Sequence, residues 1–306
     1  MIMTDRPLLI PKPLLPGDRV AIISPAGIAR AADVFRASCA IEKQGWEPVV
    51  MPHALGRHGT FSGTADERLS DFRLAMEDSR IRAVVCSRGG YGSVHLLDSL
   101  DTMPLRDDPK WLIGFSDITA LHALMLRHGI ASVHGPMAKY IGADGGENED
   151  FRALCAILRG EMPVYGIPSH PLNREGEVTG RLAGGNLAVM GGLVSTPYDI
   201  MRPGTVLFIE DIAEPVYKVE RQLEQLRMCG VLPTLKALLT GAFTEYRPDV
   251  NYETMERMIA DKVCGYGYPV AFGIPAGHMG RSLPMIEGAE VEIKVTSGET
   301  ILRFIE

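Results

Sequence analysis

Apolar positions along the first half of the chain follow two alternating rhythms. Val20–Ser24 (VAIIS) is a continuous apolar run that stops at Pro25-Ala26-Gly27. Such a run predicts a strand buried on both faces, followed by a turn. Residues 30–44 then place Ala31, Val34, Phe35 and Ile41 on one helical face. Glu47–Met51 predicts a second strand. Thr64-Ala65-Asp66-Glu67 has the form of a capping box and predicts a helix to about Asp78. Ala83–Ser87 (AVVCS) is a third strand, ending at Arg88-Gly89-Gly90-Tyr91-Gly92, with a short helix to about Leu100. Trp111–Phe115 (WLIGF) is a fourth strand, Asp117–His128 a helix and Ala131–His134 a fifth strand. Strands that alternate with helices imply an α/β fold whose parallel sheet is covered on both faces. Ligands of such sheets bind beyond the carboxyl ends of the strands. Here those ends are Pro25–Gly27, Arg88–Gly92, Ser116-Asp117 and His134-Gly135.

The rhythm fades after residue 140. A helix over 149–159 is followed by Pro163, Gly166, Pro168 and Pro171, which predicts a linker across 161–178. Two domains then follow, 1–160 and 179–306. The second holds Gly180–Gly192 (GRLAGGNLAVMGG), a strand at Thr205–Ile209 and a helix at Val216–Cys229 that stops at Gly230. Ala289, Val291, Ile293 and Val295 alternate with Glu290, Glu292 and Lys294 before a turn at Ser297-Gly298, the pattern of a hairpin.

Composition narrows the function. Of 306 residues, 46% are hydrophobic and 23% charged, so disorder and coiled-coil readings drop out. The net charge of −7 offers no basic surface for nucleic acid. No apolar stretch reaches the ~18 residues of a membrane span. Pro7, Pro11, Pro13 and Pro16 interrupt the apolar centre that a signal peptide needs. The five cysteines are odd in number and form no CxxC, so a reducing, cytoplasmic setting is expected.

Four segments could carry chemistry. In Gly114-Phe115-Ser116-Asp117, a strand runs into a serine and a helix begins at once, the setting of a nucleophile elbow. The GxSxG form is incomplete, since Ile118 stands where the second glycine would be, and on this motif alone Ser116 reads more readily as a plain helix cap. Arg88–Gly92 lets backbone approach a ligand closely, which fits half of an oxyanion hole, a nucleotide loop or a plain tight turn. It is neither GxxxxGK[ST] nor GxGxxG. Glu210-Asp211, after a strand, could orient a histidine or simply open a helix. His278, in the Gly- and Pro-rich stretch 273–281, is a possible base or a solvated loop residue. No HExxH or HxH points to a metal. His122 and His128 read as surface or packing residues, and Cys86 as a core residue.

Taken in order, Gly17–Gly27 (GDRVAIISPAG), Ser87–Gly92 (SRGGYG), Gly114–Asp117 (GFSD), Ser132–Met137 (SVHGPM), Leu182–Leu187 (LAGGNL), Leu207–Asp211 (LFIED) and Gly277-His278 resemble the LD-carboxypeptidase family of serine peptidases. That family includes muramoyltetrapeptide carboxypeptidases and microcin C self-immunity peptidases. The resemblance implies a Rossmann-like N-terminal domain and a smaller, mostly β C-terminal domain. It implies Ser116 as nucleophile, Glu210 as acid and His278 as base, in a cleft between the domains. The backbone N–H groups of Gly90 and Asp117 would form the oxyanion hole. The implied activity is release of the terminal D-Ala of a murein tetrapeptide by a cytoplasmic homodimer without cofactor. Cleavage of an aminoacyl-nucleotide antibiotic is the alternative within the family. The immunity members are expected to stack the base on an aromatic near the linker, and Trp46 and Trp111 lie elsewhere, leaving Tyr165. A non-catalytic sugar or nucleotide binder is the more distant alternative.

Overall fold

The computed structural model describes residues 7–305. The expectation that the start of the chain holds no signal peptide falls partly on residues 1–6, outside the described residues. The helices and strands of residues 7–161 are β1 (Arg19–Ile23), α1 (Ala31–Lys43), β2 (Glu47–Val50), α2 (Ala65–Glu77), β3 (Ile81–Cys86), α3 (Leu97–Leu100), β4 (Trp111–Gly114), α4 (Thr119–Arg127), β5 (Ser132–His134), α5 (Ala138–Ile141) and α6 (Glu149–Leu158). Then come β6 (Val164–Pro168), β7 (Gly176–Asn186), α7 (Leu187–Leu193), β8 (Val206–Ile212), α8 (Val216–Met228), β9 (Ala237–Thr244), α9 (Met255–Val263), β10 (Val270–Ala271), β11 (Met285–Glu287), β12 (Glu290–Val295) and β13 (Glu299–Ile305).

The chain forms two compact units. Among the described residues, the first comprises 7–161 and 283–287; the second comprises 162–282 and 288–305. The first contains a six-stranded sheet in the order β11-β5-β4-β3-β1-β2. All its pairings are parallel except β11 on β5. The apolar runs are buried as their continuity requires: Val20–Ile23, Ala83–Cys86 and Trp111–Ile113 are each at most 2% exposed. The capping box at α2 is complete, with the Thr64 hydroxyl accepting from the Glu67 N–H and the Glu67 carboxylate accepting from the Thr64 N–H. The order 2-1-3-4-5 of the first five strands reverses between β1 and β3. In such sheets that switch point is where ligands bind.

The second unit holds a seven-stranded mixed sheet, β10-β9-β8-β7-β12-β13-β6. β7 to β10 are parallel to one another, and β12, β13 and β6 run antiparallel. In β12, Val291, Ile293 and Val295 point inward and the charged residues outward. Residues 161–178 are not the irregular linker expected from their prolines. They carry β6, which pairs with β13, and the start of β7. The physical reason is position: β6 lies at the sheet's edge, where a missing N–H and a glycine cost little. Gly184 sits inside β7 because an added Cβ would overlap the Phe208 carbonyl on β8.

Candidate active site

Ser116 lies two residues beyond Gly114, the last residue of β4, and adopts φ 67°, a left-handed conformation that a residue with a Cβ rarely takes. A single turn of 3-10 helix, Ser116–Ile118, leads into α4. This is the strand–elbow–helix geometry, and its strain is of the kind held at functional positions. The incomplete GxSxG motif has a steric explanation. A Cβ on Gly114 would lie 2.9 Å from Ile118 Cγ1, so the side chain of Ile118 fills the space that Gly114 leaves. Ile118 is fully buried. The glycine needed for the sharp turn is kept before the serine, and the position after it supplies packing.

The elbow is fastened from below by His122 on α4. Its Nε2 lies 2.9 Å from the Gly114 carbonyl and its Nδ1 lies 2.8 Å from the Ser132 hydroxyl. A carbonyl only accepts, so Nε2 carries a proton. Complete burial pulls its pKa down to about 4. His122 is therefore a packing residue, one of the two readings the sequence left open. The unfolded chain takes up this proton first as the pH falls, so stability drains away from about pH 6.5 down to 4 and levels off below. The loss attributable to His122 is up to about 3 kcal/mol. Urea titrations of the wild type across this range should show that slope, and His122→Gln should flatten it.

Gly89 and Gly90 follow β3, and Gly89 packs beside Ser116. A Cβ on Gly89 would stand 2.7 Å from Ser116 Cβ and 2.8 Å from its Oγ. Gly90 has φ 127°, and a Cβ there would press on Gly27. The Gly27 N–H donates to the Gly89 carbonyl across the switch point, 3.2 Å. Among the described residues, the Gly90 N–H donates to no backbone carbonyl. The Asp117 N–H lies in a first helical turn, where N–H groups lack intrahelical partners. The Asp117 carboxylate is buried and accepts from the Ser93 N–H, 2.8 Å. Gly89→Ala changes no left-handed backbone but drives a methyl into Ser116. It should leave the melting temperature within a few degrees and lower kcat about 100-fold, since displacements near 1 Å cost that much. Parallel melting and initial-rate measurements check this.

Arg68 was not singled out from the sequence. It is 3% exposed and donates to three carbonyls, Gly63 at 3.2 Å, Pro25 at 2.5 Å and Gly92 at 2.9 Å. Burial disfavours its charge and the Asp117 carboxylate supports it. It ties the loops after β1 and β3 to the start of α2. The available signal was a cation at the same helical face as Phe72 and Ala75, positions that are also fully buried.

In the second unit, β8 delivers Glu210. The register of β8 against β9 shifts between Ile209 and Asp211, a bulge that re-aims the side chain. The Glu210 side chain is 0% exposed, and its Oε2 lies 2.7 Å from His278 Nδ1. Its other oxygen is buried without a hydrogen-bond partner among the described residues. The carboxylate therefore acts on the imidazole. Gly277, at φ 107°, allows this contact, because a Cβ there would meet Glu210 Oε2 at 2.6 Å. The loop is pinned where the Thr244 hydroxyl donates to the His278 carbonyl, 3.0 Å, and where the Gly277 N–H donates to Ser282 Oγ, 3.2 Å. Asp211 has a different task. It accepts from Asn186 Nδ2 and the N–H groups of Ala188 and Ile212. Asn186 in turn caps α7 through the Val189 N–H. Burial pushes the Asp211 carboxyl up to about 6.

The chain matches the LD-carboxypeptidase N-terminal domain over residues 20–135 and the LD-carboxypeptidase C-terminal domain over residues 179–293. It is 35% identical to a putative carboxypeptidase of Streptomyces coelicolor over 97% of each chain. It is 34% identical to the murein tetrapeptide carboxypeptidase of Pseudomonas aeruginosa, over 85% of this chain and 88% of that one. The crystal structure of muramoyltetrapeptide carboxypeptidase from Oxalobacter formigenes superposes with a TM-score of 0.86 at 28% identity. It covers 94% of this chain and 99% of its own.

The chain belongs to the LD-carboxypeptidase family. It is a serine-type carboxypeptidase with the two-unit α/β architecture described above. Elsewhere in this LD-carboxypeptidase, Cys86 lies at 0% exposure in β3, where burial pushes its thiol up, away from nucleophilic use. Among the described residues, no three His, Cys, Asp or Glu side chains cluster as metal ligands. No helix among them is long and apolar enough to cross a membrane.

Proposed function

We propose that this carboxypeptidase hydrolyses the L,D-peptide bond between diaminopimelate and the terminal D-Ala of a murein tetrapeptide, with Ser116, His278 and Glu210 as its triad. The observation that carries the reading is the left-handed Ser116 at the carboxyl end of β4, in a chain whose relatives are carboxypeptidases. The Glu210–His278 pair supports it. In this reading His278 takes the Ser116 proton as Oγ attacks the scissile carbonyl, then returns it to the departing amine of D-Ala. Glu210 holds the imidazole tautomer that places a proton on Nδ1 and stabilises the imidazolium. The N–H groups of Gly90 and Asp117 hold the oxyanion, each contributing about 3–4 kcal/mol by the usual measure of such donors. Water releases the acyl-enzyme. The family resemblance also points to a homodimer working in the cytoplasm, with no cofactor.

Mass spectrometry of a murein tetrapeptide incubated with the pure protein tests the reading. The expected product is the tripeptide, lighter by one alanine residue. An unchanged tetrapeptide, together with cleavage of an aminoacyl-nucleotide, would move the protein to the antibiotic-immunity activity. No labelling of Ser116 by a fluorophosphonate would instead count against Ser116 as the nucleophile.

A further inference from the structure

A carboxypeptidase differs from an endopeptidase in one chemical respect: the residue it removes bears a free α-carboxylate. A site for that group requires positive charge that the protein itself has not neutralised. The first unit contains such a place. A cavity of about 240 Å³ opens at the sheet's switch point, lined by Arg30 after β1, Ser87 and Arg88 after β3, and Lys139 on α5. Among the described residues, none of the three cations has an ion-pair partner. The single acid in the lining, Asp33, is engaged by Arg36 at 2.5 Å. Three unbalanced cations facing one cavity is unusual placement in a chain whose net charge is −7.

The cavity is joined to the nucleophile through contacts within the same unit. Arg88 precedes Gly89, whose α-carbon abuts Ser116, and Arg88 Nη1 donates to the Ile28 carbonyl at 3.2 Å. That bond ties the loops after β1 and β3 together on the cavity's side. Lys139 Nζ lies 5.0 Å from the centre of the Tyr140 ring, and that ring packs 5.4 Å from Phe115, the residue before Ser116. The Lys139 N–H donates to the Ser87 carbonyl, 3.1 Å. Both ends of the cation cluster are therefore held in register with the elbow.

We propose that Arg30, Arg88 and Lys139 form the subsite that binds the free α-carboxylate of the leaving residue and so makes this enzyme a carboxypeptidase. The inference rests on the carboxypeptidase activity and names the substrate group that this cluster reads. A murein tetrapeptide carries other carboxylates, including one on diaminopimelate, and the assignment is to the terminal one.

The test compares three synthetic tetrapeptides with the full-length protein: the free acid, the terminal carboxamide, and a peptide amidated only at the diaminopimelate carboxylate. Wild type should prefer the free acid over the terminal carboxamide by at least tenfold in kcat/KM, since a charge-assisted pair is lost. It should accept the diaminopimelate amide with little change. Arg30→Gln and Lys139→Gln, both at exposed positions, should each raise KM for the free acid. They should lower the rate on the carboxamide far less than the rate on the free acid, so the preference collapses toward one. Equal rates on acid and terminal carboxamide by wild type would overturn the subsite while leaving the hydrolase activity intact. So would a preference that survives in both folded variants, or a loss confined to the diaminopimelate amide. If wild type cleaves none of the three, the substrate reading fails and the subsite falls with it.

Discussion

Ser116→Ala should lower kcat by about 10⁴-fold or more while leaving the protein folded. The reason for the size is that the hydroxyl is the only atom removed and it is the proposed attacking atom. The reason for expecting an intact fold lies in the surroundings. The elbow is built by Gly114 against Ile118 and by His122 on the Gly114 carbonyl, and none of these touches depends on the hydroxyl. Alanine tolerates the left-handed φ no better than serine, so strain is unchanged. Circular dichroism and a melting curve establish folding, and single-turnover kinetics on the tetrapeptide give the rate. A folded Ser116→Ala protein that keeps more than a tenth of the wild-type rate would end the serine-nucleophile reading.

The second large effect concerns whether Ser116 and His278 act together. His278→Ala should cost nearly as much as Ser116→Ala, and the double variant should cost little more than either alone. Removing either partner leaves no activated nucleophile, so the second loss has nothing left to remove. Losses that multiplied would mean independent action and would defeat the triad assignment. Glu210→Gln should be intermediate. The amide retains the volume of a side chain that is wholly buried, yet it cannot balance an imidazolium and can donate to Nδ1, holding the wrong tautomer. Its defect should sit in kcat rather than KM, because Glu210 acts through His278 and not on the bound substrate.

What the sequence determined by itself was everything encoded at short range. The apolar runs at β1, β3 and β4 are continuous because strands buried on both faces have no wet side to mark. The capping box at Thr64, the stop at Gly230 and the alternation in β12 each place an element within a residue or two. The serine at the end of a strand and start of a helix was legible for the same reason. Other features were decided only in three dimensions. β6 reads as a proline-rich link because tolerance of proline depends on lying at a sheet edge, which no local pattern reveals. β11 has three residues and belongs to the first sheet only because β5 accepts it there. Glu210 and His278 were separate candidates, linked by resemblance alone. The bulge in β8 and the left-handed Gly277 bring their atoms to 2.7 Å. The gathering of Arg30, Arg88 and Lys139 is likewise invisible along the chain. They follow three different strands, and they share one cavity because the sheet order sets β1 beside β3 and α5 against α1.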